Sequence, residues 1–282
     1  MTEKRNFFES LNSRSALIVG TVAGLLVMCT IGFIVLGAVM LNKKTDSKTT
    51  ATSTIMAATN TNTNVKQAAS TPVVVTKADK PKVELFIMSY CPYGLQMQKA
   101  YLPVMKLLSK KADMDIKWVN YIMHEKKEIE ENNVQYCIQK EQSDKYVAYA
   151  ECFTVNGVST TCLQTAKVDT TKLKSCISTA DTKFNITKNY NDKTKWLSGY
   201  YPLYEVNDDL NTKYGVQGSP TLVINGVIVD NVSRTAEAIK QAVCASFKTQ
   251  PTECSTTLSS AAATAGFGAG TGQDTAGVDC GS

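Results

Sequence analysis

Residues Lys82–Leu108 read KVELFIMSYCPYGLQMQKAYLPVMKLL, an apolar run that ends in a single cysteine and is followed by a helical pattern. Its first part, Val83–Ser89, is apolar at almost every position, which is typical of a central β-strand covered on both faces. Pro92 suits the first turn of a helix, where its missing N–H costs nothing, and leucine and methionine then recur at helical spacing. The stretch therefore predicts a strand that carries Cys91 to the N-terminus of a helix.

The rest of the domain also consists of segments with strand and helix patterns. Ile116–Met123 predicts a second strand, and a strand, a helix and a strand in succession indicate a right-handed βαβ unit. About eighty residues of helical character follow, Glu125–Glu205. The β pattern returns around Asn225-Gly226, a strong hairpin signal between two β-branched runs, and a final helix is expected over Arg234–Phe247. The order of elements predicts an α/β domain with a helical insert.

The two ends of the chain differ from this domain in composition. An uncharged apolar run of 26 residues exceeds the roughly 20 that span a bilayer, and it predicts a transmembrane helix. The segment after it is rich in Thr, Ser, Ala and Asn and predicts a disordered linker, and the Gly/Ala/Thr-rich end of the chain predicts a flexible tail. The predicted segments are a cytoplasmic N-terminus (1–15), the transmembrane helix (16–41), the linker (42–80), the folded domain (82–254, with the insert at about 125–205) and the tail (255–282).

The cysteines indicate where the domain resides. Eight of the nine lie beyond the apolar run, a density that is ordinary for an oxidising compartment. Basic residues flank the run evenly, so charge leaves its orientation open, and the cysteines predict a single-pass protein of the cell membrane whose C-terminal domain is extracytoplasmic. No two cysteines have the spacing of a zinc knuckle and His124 is the only histidine, so we expect no metal and no cofactor. The net charge of +5 is unclustered and indicates no nucleic-acid partner.

Most of these cysteines are expected to form structural disulfides. Cys152 and Cys162 enclose Asn156-Gly157, a turn that would bring them together, and Cys137 and Cys176 would then join neighbouring helices of the insert. Four cysteines allow three pairings, and the sequence leaves the other two open. Near the end of the domain, the natural pair is Cys244–Cys254. These pairings leave Cys91 and Cys280 over.

The motifs resemble those of the thioredoxin fold, and the position of the insert is similar to that of the DsbA-like thiol–disulfide oxidoreductases. The resemblance rests on Cys-Pro-Tyr-Gly at 91–94 and on Gly-Ser-Pro-Thr at 218–221, which leads into the hairpin. It implies that Cys91 is a reactive thiol, that Pro220 is cis beside its sulfur, and that cysteine-containing proteins are the substrates. The residues expected to contact a substrate are Pro92, Tyr93, Gly94, Ser219 and Thr221.

One departure from the family pattern shapes the expected mechanism. The second cysteine of the usual motif is replaced by Gly94, so Cys91 is interpreted as a monothiol site. Unpaired N–H groups and the dipole at a helix N-terminus favour a thiolate, which can form a mixed disulfide with a substrate. Release then requires a small thiol such as glutathione, a substrate cysteine, a membrane redox partner, or another cysteine of this chain. Cys280 is the candidate for that resolving thiol, since a tail of this length can visit the domain surface.

Two other functions stay open on the sequence alone. A non-catalytic thioredoxin-fold module could bind or display a partner at the cell surface, with Cys91 a small buried apolar residue. A monothiol glutaredoxin-type site could hold an iron–sulfur cluster together with glutathione, but an oxidising compartment does not favour that use. The preferred hypothesis is a membrane-anchored oxidoreductase or isomerase.

Overall fold

The computed structural model describes residues 74–275, 277–278 and 280–281. The predicted cytoplasmic N-terminus, the predicted transmembrane helix and most of the predicted linker lie outside these residues and stay predictions. Over the part of the chain that is described, no helix is both long enough and apolar enough to cross a bilayer.

The described residues form a mixed four-stranded sheet in the order β2-β1-β3-β4. The strands are β1 (Lys82–Ile87), β2 (Asp113–Trp118), β3 (Thr221–Ile224) and β4 (Val227–Ile228). The central strand β1 pairs parallel with β2 and antiparallel with β3, which turns through Asn225-Gly226 into β4. Asn225 and Gly226 both have positive φ, as the predicted tight hairpin requires.

Helices connect and cover these strands. Helix α1 (Pro92–Leu108) joins β1 to β2, and α8 (Ala236–Ala245) follows the hairpin and packs against α1. The side chains of β1 alternate between two apolar clusters: Val83, Leu85 and Ile87 pack in the main core that includes α1 and α8, whereas Phe86 packs on the opposite face. This β-α-β and β-β-α topology is that of the predicted thioredoxin-like fold.

The insert between β2 and β3 is helical, as predicted. It contains α2 (Glu125–Glu141), α3 (Ser143–Asn156), α4 (Ser159–Thr165), α5 (Thr170–Phe184) and α6 (Ile186–Asn191), and a short α7 (Asp208–Tyr214) leads back to the sheet. Single 3₁₀ turns lie at Lys193–Lys195, Glu205–Asn207 and, after α8, Thr252–Ser255.

Disulfides join the elements of the insert in the pairing that the sequence favoured. Cys137 on α2 bonds to Cys176 on α5, and Cys152 on α3 bonds to Cys162 on α4. Gly157 adopts a left-handed conformation with φ of 68° at the end of α3, and this sharp turn brings α4 back alongside α3. The third expected pair, Cys244–Cys254, fixes the segment that leaves α8.

Both predicted disordered segments need correction where the structure describes them. The tail, expected to be flexible from residue 255, instead lies on the domain: Lys99 donates to the carbonyl groups of Thr264, Gly266 and Gly268. The end of the linker, from residue 74, also joins the fold, because Ala78 exchanges main-chain hydrogen bonds with Ser246 and Lys248. Low-complexity composition misled both predictions, since these contacts use main-chain groups and require few apolar side chains.

Candidate active site

Cys91 lies at the N-cap of α1, where β1 delivers it. Its amide donates to the carbonyl of Met88 at 3.0 Å, and its Sγ accepts from the amide of Gly94 at 3.4 Å. The first-turn amides of a helix are unpaired and carry the positive end of its dipole, so they stabilise an anionic sulfur. The side chain is fully buried.

The loop before β3 lies directly beside this sulfur. The Ser219–Pro220 peptide bond is cis, as the resemblance implied, and the carbonyl oxygen of Ser219 lies 3.3 Å from Cys91 Sγ. The hydroxyl of Ser219 accepts from the amide of Met88 at 2.9 Å and so ties this loop to the end of β1. The strand, the helix N-terminus and the cis-proline loop thus converge on one sulfur atom.

Cys280 completes the site from the far end of the chain. It is disulfide-bonded to Cys91, with Cα atoms 6.3 Å apart and a sequence separation of 189 residues. Cys280 and Ser219 also exchange both main-chain hydrogen bonds, at 2.7 and 3.0 Å, as an antiparallel bridge. The close approach depends on Gly218, because a Cβ there would lie 2.2 Å from the carbonyl oxygen of Cys280. The two cysteines that the sequence left over are therefore brought together.

The residues expected to contact a substrate divide into two groups. Pro92 is exposed, and Tyr93 and Thr221 are half-buried, so all three reach the surface. Ser219 and Gly94 are buried. The expectation that Gly94 contacts a substrate is corrected, because a Cβ built on it would lie 2.5 Å from Ser219 Oγ and 3.3 Å from Cys91 Cβ, which leaves no open surface there.

Sequence reasoning missed the residues that hold the tail over the site. Arg234 donates to the hydroxyl of Thr275 at 2.8 Å and to the carbonyl of Val278, and its guanidinium lies 5.3 Å from the centre of the Tyr93 ring. Gln96 donates to the carbonyls of Ala263 and Gln273, both at 2.8 Å. The signal that could have found Gln96 is its polarity on a helix whose buried residues are mostly apolar, a signal that it shares with Gln98.

A groove of about 560 Å³ continues from the site along the cis-proline loop. It is lined by Pro220 and Thr221, by Met97 and Arg234, and by Gly277 of the tail, among others. Pro220, the residue after Ser219, thus lines the groove together with a residue of the tail. Among the described residues, no group of three or more His, Cys, Asp or Glu side chains is placed to hold a metal ion.

Comparisons with known proteins gave structural similarity alone. No protein-family model matches the sequence, and no curated protein matches it. Oxidised BdbD from Bacillus subtilis is 19% identical, with a TM-score of 0.40 over 62% of this chain and 92% of that one. Reduced DsbA from Mycobacterium tuberculosis is 12% identical, with a TM-score of 0.41 over 63% and 92%, and the reduced disulfide bond oxidoreductase DsbG from the same organism is 12% identical, with a TM-score of 0.42 over 64% and 88%.

The class of the protein follows from its own topology and site. The strand order, the cysteine at the N-terminus of α1 and the cis proline beside its sulfur define a thioredoxin-like fold. The chain adds to it a helical insert and four disulfides among the described residues.

Proposed function

We propose that this protein is a thiol–disulfide oxidoreductase whose redox pair is Cys91 and Cys280, and that the predicted N-terminal span anchors it in the cell membrane with this domain outside the cytoplasm. The observation that carries the proposal is the Cys91–Cys280 disulfide, formed at a helix N-terminus beside a cis proline. The pair takes the place of the two neighbouring cysteines of the usual motif, so the site is a dithiol site with widely separated members.

In the reduced protein the exchange begins at Cys91. Its thiolate attacks one sulfur of a substrate disulfide, the other substrate sulfur leaves as a thiolate, and a mixed disulfide with Cys91 remains. The Cys280 thiolate then attacks Cys91 Sγ, the second substrate thiolate leaves, and the Cys91–Cys280 bond forms. Two electrons pass from the protein to the substrate, and the reverse sequence oxidises a substrate dithiol. A small thiol such as glutathione or a membrane redox partner would reset the pair.

A second candidate function has an observation in its favour. Cys91 is fully buried beneath the tail, and all eight described cysteines are bonded, which is also what a structural staple would show. In that case the domain would be a non-catalytic binding module whose fourth disulfide only holds the tail in place.

Stepwise reduction of the folded full-length chain in detergent distinguishes the two functions. We expect a dithiol such as dithiothreitol to open Cys91–Cys280 at concentrations that leave the other three disulfides intact, with alkylation and mass spectrometry identifying each thiol. The staple predicts instead that the four bonds open together as the domain unfolds.

Single serine variants test the assigned roles. Cys280→Ser should trap a substrate disulfide as a stable adduct on Cys91, whereas Cys91→Ser should form no adduct at that position and catalyse no exchange. The matched control is the double variant Cys244→Ser/Cys254→Ser, which removes a disulfide away from the site and should keep exchange activity. An unreactive Cys91 in the folded Cys280→Ser variant would refute the enzymatic function.

A further inference from the structure

The end of the tail lies on the domain as a bound strand would. Cys280 presents its sulfur to Cys91 while its amide and carbonyl pair with Ser219, at the start of the loop that leads into β3. Addition of an extended segment to an exposed main-chain edge is a general mode of peptide recognition, in which the main chain provides affinity and side-chain pockets provide selectivity. The tail therefore shows how a cysteine-containing segment can lie at this site.

Val278, two residues before Cys280, is held through its main chain. Arg234 donates to the carbonyl oxygen of Val278, and the Val278 side chain is 44% exposed. A guanidinium bond to a carbonyl group is available to any residue type. This part of the site therefore places few restrictions on the sequence of the bound segment.

The residue after Cys280, Gly281, lies directly against the side chain of Tyr121, which forms a wall of the site. Gly281 has φ of 95°, and a Cβ built on it would lie 1.8 Å from the hydroxyl oxygen of Tyr121 and 3.0 Å from the ring carbon that carries it. The wall is fixed, because Tyr121 is 6% exposed, donates to the carbonyl of Gln217 at 2.8 Å and packs against the Tyr201 ring at 5.9 Å. Glycine combines tolerance of positive φ with the absence of a Cβ, so it satisfies both requirements.

We propose that the end of the tail is a tethered pseudosubstrate, and that Tyr121 makes the same binding track selective for substrates with glycine directly after the reacting cysteine. This inference rests on the proposed function, since it concerns the segments that Cys91 accepts. Tail and substrate compete for one track, so the Cys280 thiolate attacks Cys91 Sγ from the side opposite the substrate sulfur, and the tail docks in the track once the substrate thiolate has left. The substrate class is extended protein segments that contain Cys-Gly.

Peptide disulfides test the selectivity on the full-length Cys280→Ser variant. The probes are acetyl-Val-Asp-Cys-Xaa-amide peptides, with Gly, Ala or Leu as Xaa, each carrying thionitrobenzoate on its cysteine. Cys91 attacks the peptide sulfur, a Cys91–peptide disulfide forms, and coloured thionitrobenzoate leaves as a thiolate. We expect the Gly peptide to react at least about tenfold faster than the Ala or Leu peptide, because overpacking a fixed wall is costly.

Variants of the wall tie this preference to Tyr121. Tyr121→Ala should abolish the preference, and Tyr121→Phe, which keeps the ring and removes the closest atom, should reduce it. Tyr200→Ala is the matched control, since Tyr200 is a neighbouring tyrosine that is 76% exposed, and it should keep the full preference. Equal rates for the three peptides in the Cys280→Ser variant would overturn the selectivity.

The tail itself provides an independent measurement. In glutathione redox buffers, Gly281→Ala should lower the equilibrium constant for closing Cys91–Cys280 by about tenfold or more, and Tyr121→Ala should restore closure in that background. Gly277→Ala is the control, because Gly277 has a similar positive φ of 80° but its Cβ would meet only Asn231, at 4.0 Å. Equal effects of Gly281→Ala and Gly277→Ala would overturn the inference.

A reference reagent distinguishes failure of the proposed oxidoreductase function from failure of the glycine selectivity. Dithiobis(nitrobenzoate), a small disulfide with no peptide chain, serves as the reference reagent for the Cys280→Ser variant. If it reacts at Cys91 while the peptides show no preference, the oxidoreductase function stands and the selectivity is wrong. If neither reagent nor peptide reacts, the function and the selectivity are both refuted.

Discussion

At the scale of single residues, Gly94 and Ser219 explain why the second thiol is not in the motif. The Ser219 hydroxyl lies where a side chain at position 94 would begin, 2.5 Å from the ideal Cβ, and it is held there by its bond to the Met88 amide. A cysteine at position 94 would therefore collide with the loop that carries the cis proline. The chain instead brings its second thiol to Cys91 from position 280.

We expect Gly94→Ala to lower the free energy of unfolding of the oxidised protein by about 1–3 kcal/mol through overpacking, after allowance for alanine's higher helix propensity. Ser219→Ala alone should cost about 1–3 kcal/mol because it leaves the buried Met88 amide without its acceptor. In the double variant the collision is relieved. The loss of unfolding free energy in the double variant should therefore be smaller than the sum of the losses in the two single variants. Urea denaturation of all four proteins gives the coupling energy, and strict additivity would contradict the proposed collision.

Some residues of the candidate site could be predicted from the sequence, and others could not. The position of Cys91 at a helix N-terminus was predictable from the local sequence, and the cis Pro220 was implied by the resemblance that the two short motifs carry. Tyr121 and Arg234 were not, since their roles depend on contacts with Gly281 and Val278 at the far end of the chain. Nothing in the sequence near either residue indicates that partner.

At the scale of elements, the insert encloses a carboxyl group. Glu131 on α2 is 3% exposed, and it accepts from the Tyr149 hydroxyl through both oxygens at 2.9 Å and from Gln135 at 2.8 Å. Burial raises the pKa of Glu131 to about 8, since desolvation of the charged form outweighs the stabilisation by these hydrogen bonds. The folded protein therefore keeps this carboxyl protonated at pH values where the unfolded chain has lost the proton.

This difference sets the sign of a pH dependence. Between about pH 4.5 and 8 the folded state binds more protons at Glu131 than the unfolded state, so the free energy of unfolding should fall as pH rises. The full contribution of this group is present below the lower pH and is lost by the upper one, with a size of at most several kcal/mol. Glu131→Gln should flatten the profile measured by urea denaturation, whereas Glu130→Gln, an exposed neighbour on the same helix, should leave it unchanged. A wild-type profile that rises through this range would contradict the assignment.

The elements themselves were predictable to different degrees. The helical character of the insert was predictable from its sequence, and its cysteines favoured the pairing that the structure has, although the sequence left two other pairings open. The tail has no periodic apolar residues, so it resembled a disordered segment. Its attachment depends on glycine carbonyls that accept from Lys99, and composition does not reveal such bonds.

At the scale of the whole molecule, the tail joins the sheet domain to the insert. It crosses α1, where the Lys99 ammonium binds three of its carbonyl groups, and burial lowers the pKa of Lys99. Phe267 then inserts between Tyr90, at the end of β1, and Phe153 of α3, with ring centres 5.6 and 5.4 Å apart. The tail is thus anchored well before it reaches Cys91.

We expect Lys99→Met to release this anchor. Hydrogen exchange at the amides of Gly266 and Gly268, which donate to Pro92 and Thr154, should accelerate at least about tenfold in the reduced protein, because the carbonyls around Lys99 lose their shared donor. Lys106→Met is the control, since Lys106 lies on the same helix but pairs with Glu151. Unchanged exchange in Lys99→Met would show that the other contacts of the tail, such as those of Phe267, hold this segment without Lys99.

The direction of β1 determines which end of the domain carries Cys91. Asn225, in the turn after β3, binds Thr76 and Lys82, so the chain enters the domain at the pole where β1 begins. Cys91 lies past the opposite pole, about 20 Å away along a six-residue strand. The point where the chain enters the domain and Cys91 therefore lie at opposite ends of β1. A substrate can therefore approach the Cys91 end of the domain without passing the segment through which the chain enters.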